Sequence, residues 1–435
     1  MSRSLVVVSM LVLCGVLPAL GLAADTASSP PRFEGVASCA SSLCHGSARP
    51  LSAHEVLQNE YVTWSQFDPH ANAYRVLLDA RSKQIAARMG IGPAHTAPQC
   101  LACHAEVVPA ARRGVRHQLS DGVGCESCHG AAERWLPTHH QSPAVTHAEN
   151  LARGLTALER PGVRAEVCTG CHVGDRNRFA SHAMMAAGHP RLVFDLETYT
   201  ELWRTSGGRE HYRKRDTQAP TVWIAGILGA TRRQFELLEV HAARSARPDF
   251  SVYACHTCHR DLRVAAFGTN EARGSQAADP LAGAPGELRM QDGQLRLLLV
   301  LADALQLDSQ SFIAAMRRLQ SALNGDPAQL PGTLRDARQQ LDALGGALTR
   351  RSWQTRETRV VFDALLRAAR SGSFPDPAAA EQAAMGLVML LAELDLDRSR
   401  RAEIDALFAT LRDDNAFDGR RFRRVLDQLE KPTAR

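Results

Sequence analysis

The chain has 435 residues, 45% of them hydrophobic and 22% charged, which fits two or three ordinary globular domains and argues against disorder. Its formal net charge of +5 comes almost wholly from arginine, with lysine only at Lys83, Lys214 and Lys431. No dense basic run interleaved with aromatics stands out, so neither nucleic acid nor an anionic membrane is expected as a partner.

Met1-Ser2-Arg3 precedes an apolar stretch from Leu5 to Leu22, followed by Ala23 and Ala24. Residues 1–24 therefore read as a secretory signal peptide. Ser9, Gly15 and Pro18 interrupt the stretch and favour cleavage over anchoring; Leu13 before Cys14 argues against lipoprotein processing. No later segment reaches the roughly 18 consecutive apolar residues of a spanning helix. The mature protein is expected to be exported, soluble and periplasmic, with a flexible Ser/Pro-rich leader over residues 25–34.

From about 35 to 265, short helical patterns alternate with Gly/Pro turns, and this segment holds every cysteine except Cys14. The ten fall into five close pairs: Cys39/Cys44, Cys100/Cys103, Cys125/Cys128, Cys168/Cys171 and Cys255/Cys258. Each pair is followed at once by a histidine: His45, His104, His129, His172 and His259. Two thiols that add to the vinyl groups of one haem, with an adjacent imidazole for its iron, require this order of residues.

Zinc uses paired cysteines at the same spacing but does not need the adjacent histidine. With 17 histidines in the chain, five coincidences out of five have a probability on the order of one in ten million. Haem c, five copies, is the expected cofactor, with the wider Cys39/Cys44 spacing open to the alternative of a disulfide. The haems' propionates would then outweigh the basic excess and pair with arginines.

Twelve histidines remain, all before residue 260. Their density argues for mainly bis-histidine iron, the low-spin arrangement suited to electron transfer. His70 follows Pro69, which can open a helix and set the imidazole on its first turn. His139 and His140 follow Trp135; His182 and His189 flank Met184-Met185. His70, His139, His182 and His189 are the chosen distal candidates, with His95 cramped against Cys100. His54, His117, His147, His211, His241 and His256 stay unassigned.

Further along, Trp203–Pro220 reads as a polar loop and Thr221–Ala243 as an amphipathic helix leading to the fifth motif. A Gly/Ala/Pro-rich linker covers 267–287. Beyond it, apolar residues recur at helical spacing through 288–430, broken at Asn324–Pro327, Ser371–Pro377 and Asp414–Gly419, with Asp376-Pro377 as a helix start. The fold class expected is mainly α with extensive loops: a multihaem cytochrome c domain at 35–265 whose core is largely haem, then a haem-free bundle or solenoid of six or seven helices. That second region serves as structural cover or as a docking surface.

The segment Gly122-Val123-Gly124-Cys125-Glu126-Ser127-Cys128-His129-Gly130 resembles the tetrahaem cytochrome family that partners hydroxylamine oxidoreductase. The resemblance takes in the first motif with Asp68-Pro69-His70-Ala71, then Cys100–His104 and Cys168–His172, and covers roughly residues 35–190. It implies that His70 is the distal ligand of the haem at Cys125/Cys128, and that His139, with His140 as alternative, crosses to the haem at Cys39/Cys44. It also implies an open iron position, hence a possible small-molecule ligand, at the haem held by His104. The longer first motif, the fifth motif and the C-terminal helices depart from that family.

The leading expectation is an electron carrier between unidentified redox protein partners. The rival is a multihaem oxidoreductase acting on a small nitrogen or sulfur compound at a five-coordinate haem, with His95, His117, Arg112 and Arg113 near its second motif. A subunit docked into a larger complex is a third reading.

Overall fold

The computed structural model describes residues 29–51, 56–203, 217–244, 248–259, 279–281 and 287–430. The expected signal peptide, most of the 267–287 linker and most of the Trp203–Pro220 stretch lie outside them. The fold is mainly α with extensive loops, as the patterning implies. Among the described residues β-pairing is limited to isolated bridges such as Phe33 with Arg113 and Tyr253 with Met290.

The N-terminal half is built from short helices: α1 (Glu60–Phe67), α2 (Ala80–Met89), α3 (Pro98–His104), α4 (Cys125–His129), α5 (His147–Ala152), α6 (Pro161–His172), α7 (His182–Ala186) and α8 (Leu196–Trp203). Three of them carry a cysteine motif at or near their C-terminal end. Residues three and four apart share a helix face, so one helical turn aims both thiols and the histidine at the same space. Pro98 and Pro161 open α3 and α6 at the first helical position, where a missing N–H costs nothing. The fifth motif uses a 3-10 turn, Cys255–Thr257. The first cannot use a single helical turn, because its extra two residues put Cys44 out of phase. It closes instead through the His45 N–H bonding the Cys39 carbonyl at 3.2 Å.

Helix α9 (Ala219–Arg244) is the longest element and joins the two halves. One side packs on α6 and α8; the other packs on the C-terminal helices. These are α10 (Gly293–Ala304), α11 (Gln310–Asn324), α12 (Leu330–Thr349), α13 (Thr355–Arg370), α14 (Pro377–Glu393), α15 (Arg401–Ala409) and α16 (Gly419–Glu430). Seven helices fall in the anticipated region, and the breaks fall where Gly, Pro and Asp were read as punctuation. Asp376 caps α14 by accepting the Ala379 N–H at 2.9 Å, with Pro377 in its first turn.

The main apolar core does not respect the boundary expected at 267–287. Trp223, Ile224, Ile227, Leu228, Phe235 and Leu238 of α9 belong to the same buried cluster as Leu298, Leu301, Leu341, Leu365, Leu390 and Leu426. The packed helical unit therefore takes in Ala219 and the rest of α9, inside the segment expected to be the cytochrome domain, because the apolar side chains of α9 pack with those of the C-terminal helices. The half-buried Arg191 side chain adds a second tie, reaching Glu381 at 2.8 Å and Asp414 at 2.9 Å.

Candidate haem-binding site

Four of the five motifs come together in an order that differs from their order in the chain. The Cys39 thiol lies beside that of Cys125 and the Cys103 thiol beside that of Cys171, and Cys128 neighbours Cys168 and Cys171. The first motif thus adjoins the third, the third adjoins the fourth, and the fourth adjoins the second. None of the ten cysteines forms a disulfide.

Glu126, between the cysteines of the third motif, builds part of this scaffold. Its buried carboxylate accepts backbone N–H groups from Glu34 at 2.9 Å, Gly35 at 2.6 Å and Ala132 at 2.6 Å. The start of the described chain is thereby held against the third motif. Gly122 sits at φ 76° with its missing Cβ pointing 2.6 Å from the His70 carbonyl oxygen, so a side chain there would collide. That carbonyl also accepts the Val123 N–H at 3.1 Å, which fixes His70 beside the third motif.

Histidine rings meet in pairs. His45 faces His139 at 6.1 Å between ring centres, His70 faces His172 at 6.0 Å, His104 faces His189 at 6.4 Å and His182 faces His259 at 6.1 Å. An imidazole nitrogen binds a first-row transition metal at about 2 Å and lies about 1 Å from its ring centre, so two rings on opposite sides of one ion stand about 6 Å apart. The interplanar angles run from 16° to 86°. Rotation about the metal–nitrogen axis leaves such angles free.

The second ring nitrogen supplies an independent test of fit. Ligating histidines commonly donate their other N–H to a carboxylate or carbonyl, which fixes the tautomer. His45 Nδ1 meets Glu60 Oε2 at 2.8 Å, and His70 Nδ1 meets Asp68 Oδ1 at 2.8 Å. His104, His139 and His189 direct Nδ1 to the carbonyls of Ala73, Leu136 and Pro190, at 2.9, 2.8 and 2.8 Å. In all five the Nε2 atom is left for a metal. Asp68 also caps the short 3-10 helix Pro69–Asn72 by accepting the His70 N–H at 2.8 Å, so the predicted Pro69 helix start is present.

Electrostatics agree with this arrangement. Burial pushes His172 down to about 4 and lowers His104 and His139, keeping each imidazole neutral, the form that ligates. Burial would lower His70 as well, but the Asp68 carboxylate outweighs it and holds that ring above its ordinary value. Between the first and third motifs, burial pushes Glu106 up to about 7 even though the Ser127 hydroxyl donates to it at 2.6 Å.

Two expectations drawn from the resemblance change. His70 meets the histidine of the fourth motif, where the third was expected, because the two motifs are neighbours and sequence order carries no information about which face His70 reaches. His189 stands opposite His104, the position expected to be open. His139 faces His45 of the first motif, with His140 packed edge-on against His139 at 5.7 Å.

In the fifth motif Cys258 is exposed, as is His259, while Cys255 is half-buried. The physical reason is the turn that carries the motif. Tyr253 and Ala254 before it are buried, and Cys258 falls past its end, its N–H bonded to the Cys255 carbonyl at 3.1 Å. Cys44 is exposed for a related reason, since the two extra residues of the first motif carry it beyond the buried Cys39. The fifth motif therefore ends at the surface, whereas both cysteines of the third motif are half-buried.

The remaining histidines find other neighbours. His95 lies edge-on to Tyr74, His241 to Phe179 and His256 to Phe417. His117 is buried near Glu106, and His147 reaches Glu159 at 3.2 Å. Met184 is buried in the core. His54 and His211 lie outside the described residues. The acceptors Glu60 and Asp68 were missed by sequence reasoning; a carboxylate two residues before His70 was the available signal.

Short helices, paired thiols with an adjacent histidine, and facing imidazoles are the features that a c-type cytochrome uses to bind haem covalently. Residues 38–130 match the family model described as cytochrome c554 and c-prime, which supports that class and an electron-transfer role. No curated protein and no solved structure matches the chain.

Proposed function

We propose that the protein is a pentahaem electron relay working outside the cytoplasm between redox protein partners. The observation that carries this reading is the pairing of four motif histidines with a second imidazole at 6.0–6.4 Å. In this reading the thiols of Cys39/Cys44, Cys100/Cys103, Cys125/Cys128, Cys168/Cys171 and Cys255/Cys258 hold the haems. The imidazole pairs that would hold iron are His45/His139, His104/His189, His172/His70 and His259/His182, and His129 would serve the third haem. Haem c, once bound, supplies one-electron chemistry at iron.

What the chain's own residues do is set a second imidazole against four of the five motif histidines and orient His45, His70, His104, His139 and His189 through Nδ1, which suits electron transfer better than substrate turnover. With His189 beside His104, the oxidoreductase alternative loses its best candidate for an open iron. Among the described residues no helix is long and apolar enough to cross a membrane. The periplasmic location rests on the signal-like residues 1–24.

Two measurements on the mature protein test this. Intact mass is expected to show five haem additions; four additions with a Cys39–Cys44 disulfide would remove the first site, and four with a free thiol at the exposed Cys258 would remove the fifth. Paramagnetic resonance of the ferric protein is expected to be low-spin at the four paired sites and unchanged by nitrite or hydroxylamine. A high-spin signal from one of those sites that shifts on ligand addition would return the oxidoreductase reading.

A further inference from the structure

The final helix, α16, contains Arg420, Arg421, Arg423 and Arg424 around Phe422, which is 1% exposed. This is a dense basic run around an aromatic, contrary to the expectation from composition. Arg420, Arg423 and Arg424 converge with Arg367 and Arg370, from the end of α13, on a recess of about 500 Å³ lined by one carboxylate, Asp427. Asp427 is engaged by Arg370 at 2.7 Å. Among the described residues, the side chains of Arg367, Arg420, Arg423 and Arg424 make no ion pair or hydrogen bond.

The fold alone gives this cluster no stabilising purpose. Like charges three and four residues apart repel. Arg420 also stands in the first turn of α16, at the positive end of its macrodipole. An anionic surface seated in the recess would offset both terms.

The location indicates which kind of anion. Phe417 packs on His256, between the cysteines of the fifth motif, at 6.1 Å, and on Phe422 at 6.1 Å. A Cβ at Gly419 would stand 3.5 Å from Arg423 Nη1 and 3.7 Å from the Phe417 ring. Phe417 thus links the helix that carries the recess to the fifth motif, whose Cys258 and His259 are exposed at the surface. A membrane surface is the poorer fit, because the apolar face of α16, with Phe422, Leu426 and Leu429, is buried in the core.

We infer that the arginine recess is the docking surface for an acidic electron-transfer protein that exchanges electrons with the haem held at Cys255/Cys258. This rests on the relay proposed above. In the exchange one electron leaves the partner's reduced centre, which is oxidised, and enters a ferric haem iron, which is reduced; no bond or proton changes place. The recess raises the encounter rate by charge complementarity.

The test uses the holoprotein and an acidic [2Fe–2S] ferredoxin as probe. Two triple variants carry the same change in net charge: R420E/R423E/R424E in the recess, and R350E/R351E/R356E, exposed residues at the opposite end of α13 and just before it. Ferredoxin binding is measured by calorimetry at low and high salt. The recess variant is expected to bind about tenfold more weakly at low salt and to lose most of the salt dependence, with the control within about twofold of wild type.

Equal losses in both variants, no loss in either, or wild-type binding to phosphatidylglycerol vesicles but not to ferredoxin would overturn the assignment. Helix content and thermal midpoint of the recess variant are expected to hold or rise, since glutamate suits the start of α16. Stopped-flow reduction by the same ferredoxin separates the two proposals. Recess-dependent binding without haem reduction removes the relay and leaves the docking surface; reduction indifferent to the recess does the reverse.

Discussion

A cysteine motif specifies its own haem attachment but not the residue on the far side of the iron. His189 was recognisable as a candidate from its neighbours Met184-Met185, yet only the turn of chain after α7 brings it to His104. His189→Ala is expected to convert one low-spin ferric signal to high-spin, read by paramagnetic resonance. An unchanged spectrum would place His189 outside the coordination sphere. Asp195 tests a different property of a single residue. Burial pushes its carboxyl above the ordinary 3.8, only partly opposed by hydrogen bonds such as the Thr198 N–H at 2.8 Å. The folded state then binds the proton more tightly than the unfolded state, so stability falls as pH rises from 3.8 through the raised value. Asp195→Asn keeps the cap acceptor and loses the charge. Its denaturation midpoint is expected to gain on that of the wild type as pH rises across this window; parallel profiles would show that Asp195 is not the source.

At the scale of elements, α9 explains how a haem-rich region and a haem-free one become one structure. Its amphipathic stretch was legible from 221 to 243, and the helix runs from 219 to 244. Its glycines were not legible as packing devices. A Cβ at Gly226 would stand 2.7 Å from Leu196 Cβ, and one at Gly229 would stand 3.0 Å from Ala165 Cβ. These absences let α8 and α6 approach, and α6 carries the fourth motif. Gly226→Ala gains about 1 kcal/mol in helix propensity but forces an overpacked contact that costs about 1–3 kcal/mol. A net loss of about 1 kcal/mol in urea denaturation is expected. Gly332 in α12 has open space around its Cβ position. Gly332→Ala is expected to be neutral or stabilising by up to about 1 kcal/mol. Equal effects at the two sites would refute the close-approach argument.

For the whole molecule, the shared core makes the C-terminal helices part of the cytochrome's own stability. A chain ending at residue 266 would uncover Trp223, Ile224, Ile227 and Leu228, each 3% exposed or less in the full protein. Each such side chain contributes about 1.5–3 kcal/mol by burial. The shortened chain is expected to aggregate or to expose apolar surface, as read by light scattering and dye binding. A monodisperse product with wild-type haem spectra would restore an independent haem domain with its boundary near 267. The sequence by itself determined the cofactor chemistry, the mainly α class and the helix breaks, because thiol spacing, apolar periodicity and Gly/Pro/Asp punctuation act over a few residues. Only the tertiary structure decided which histidines face each other, where the packed core begins, that Cys44 and Cys258 lie exposed while Cys39 and Cys100 are buried, and that arginines from two helices meet near the fifth motif. Those outcomes depend on contacts between residues distant in the chain, which local spacing does not encode.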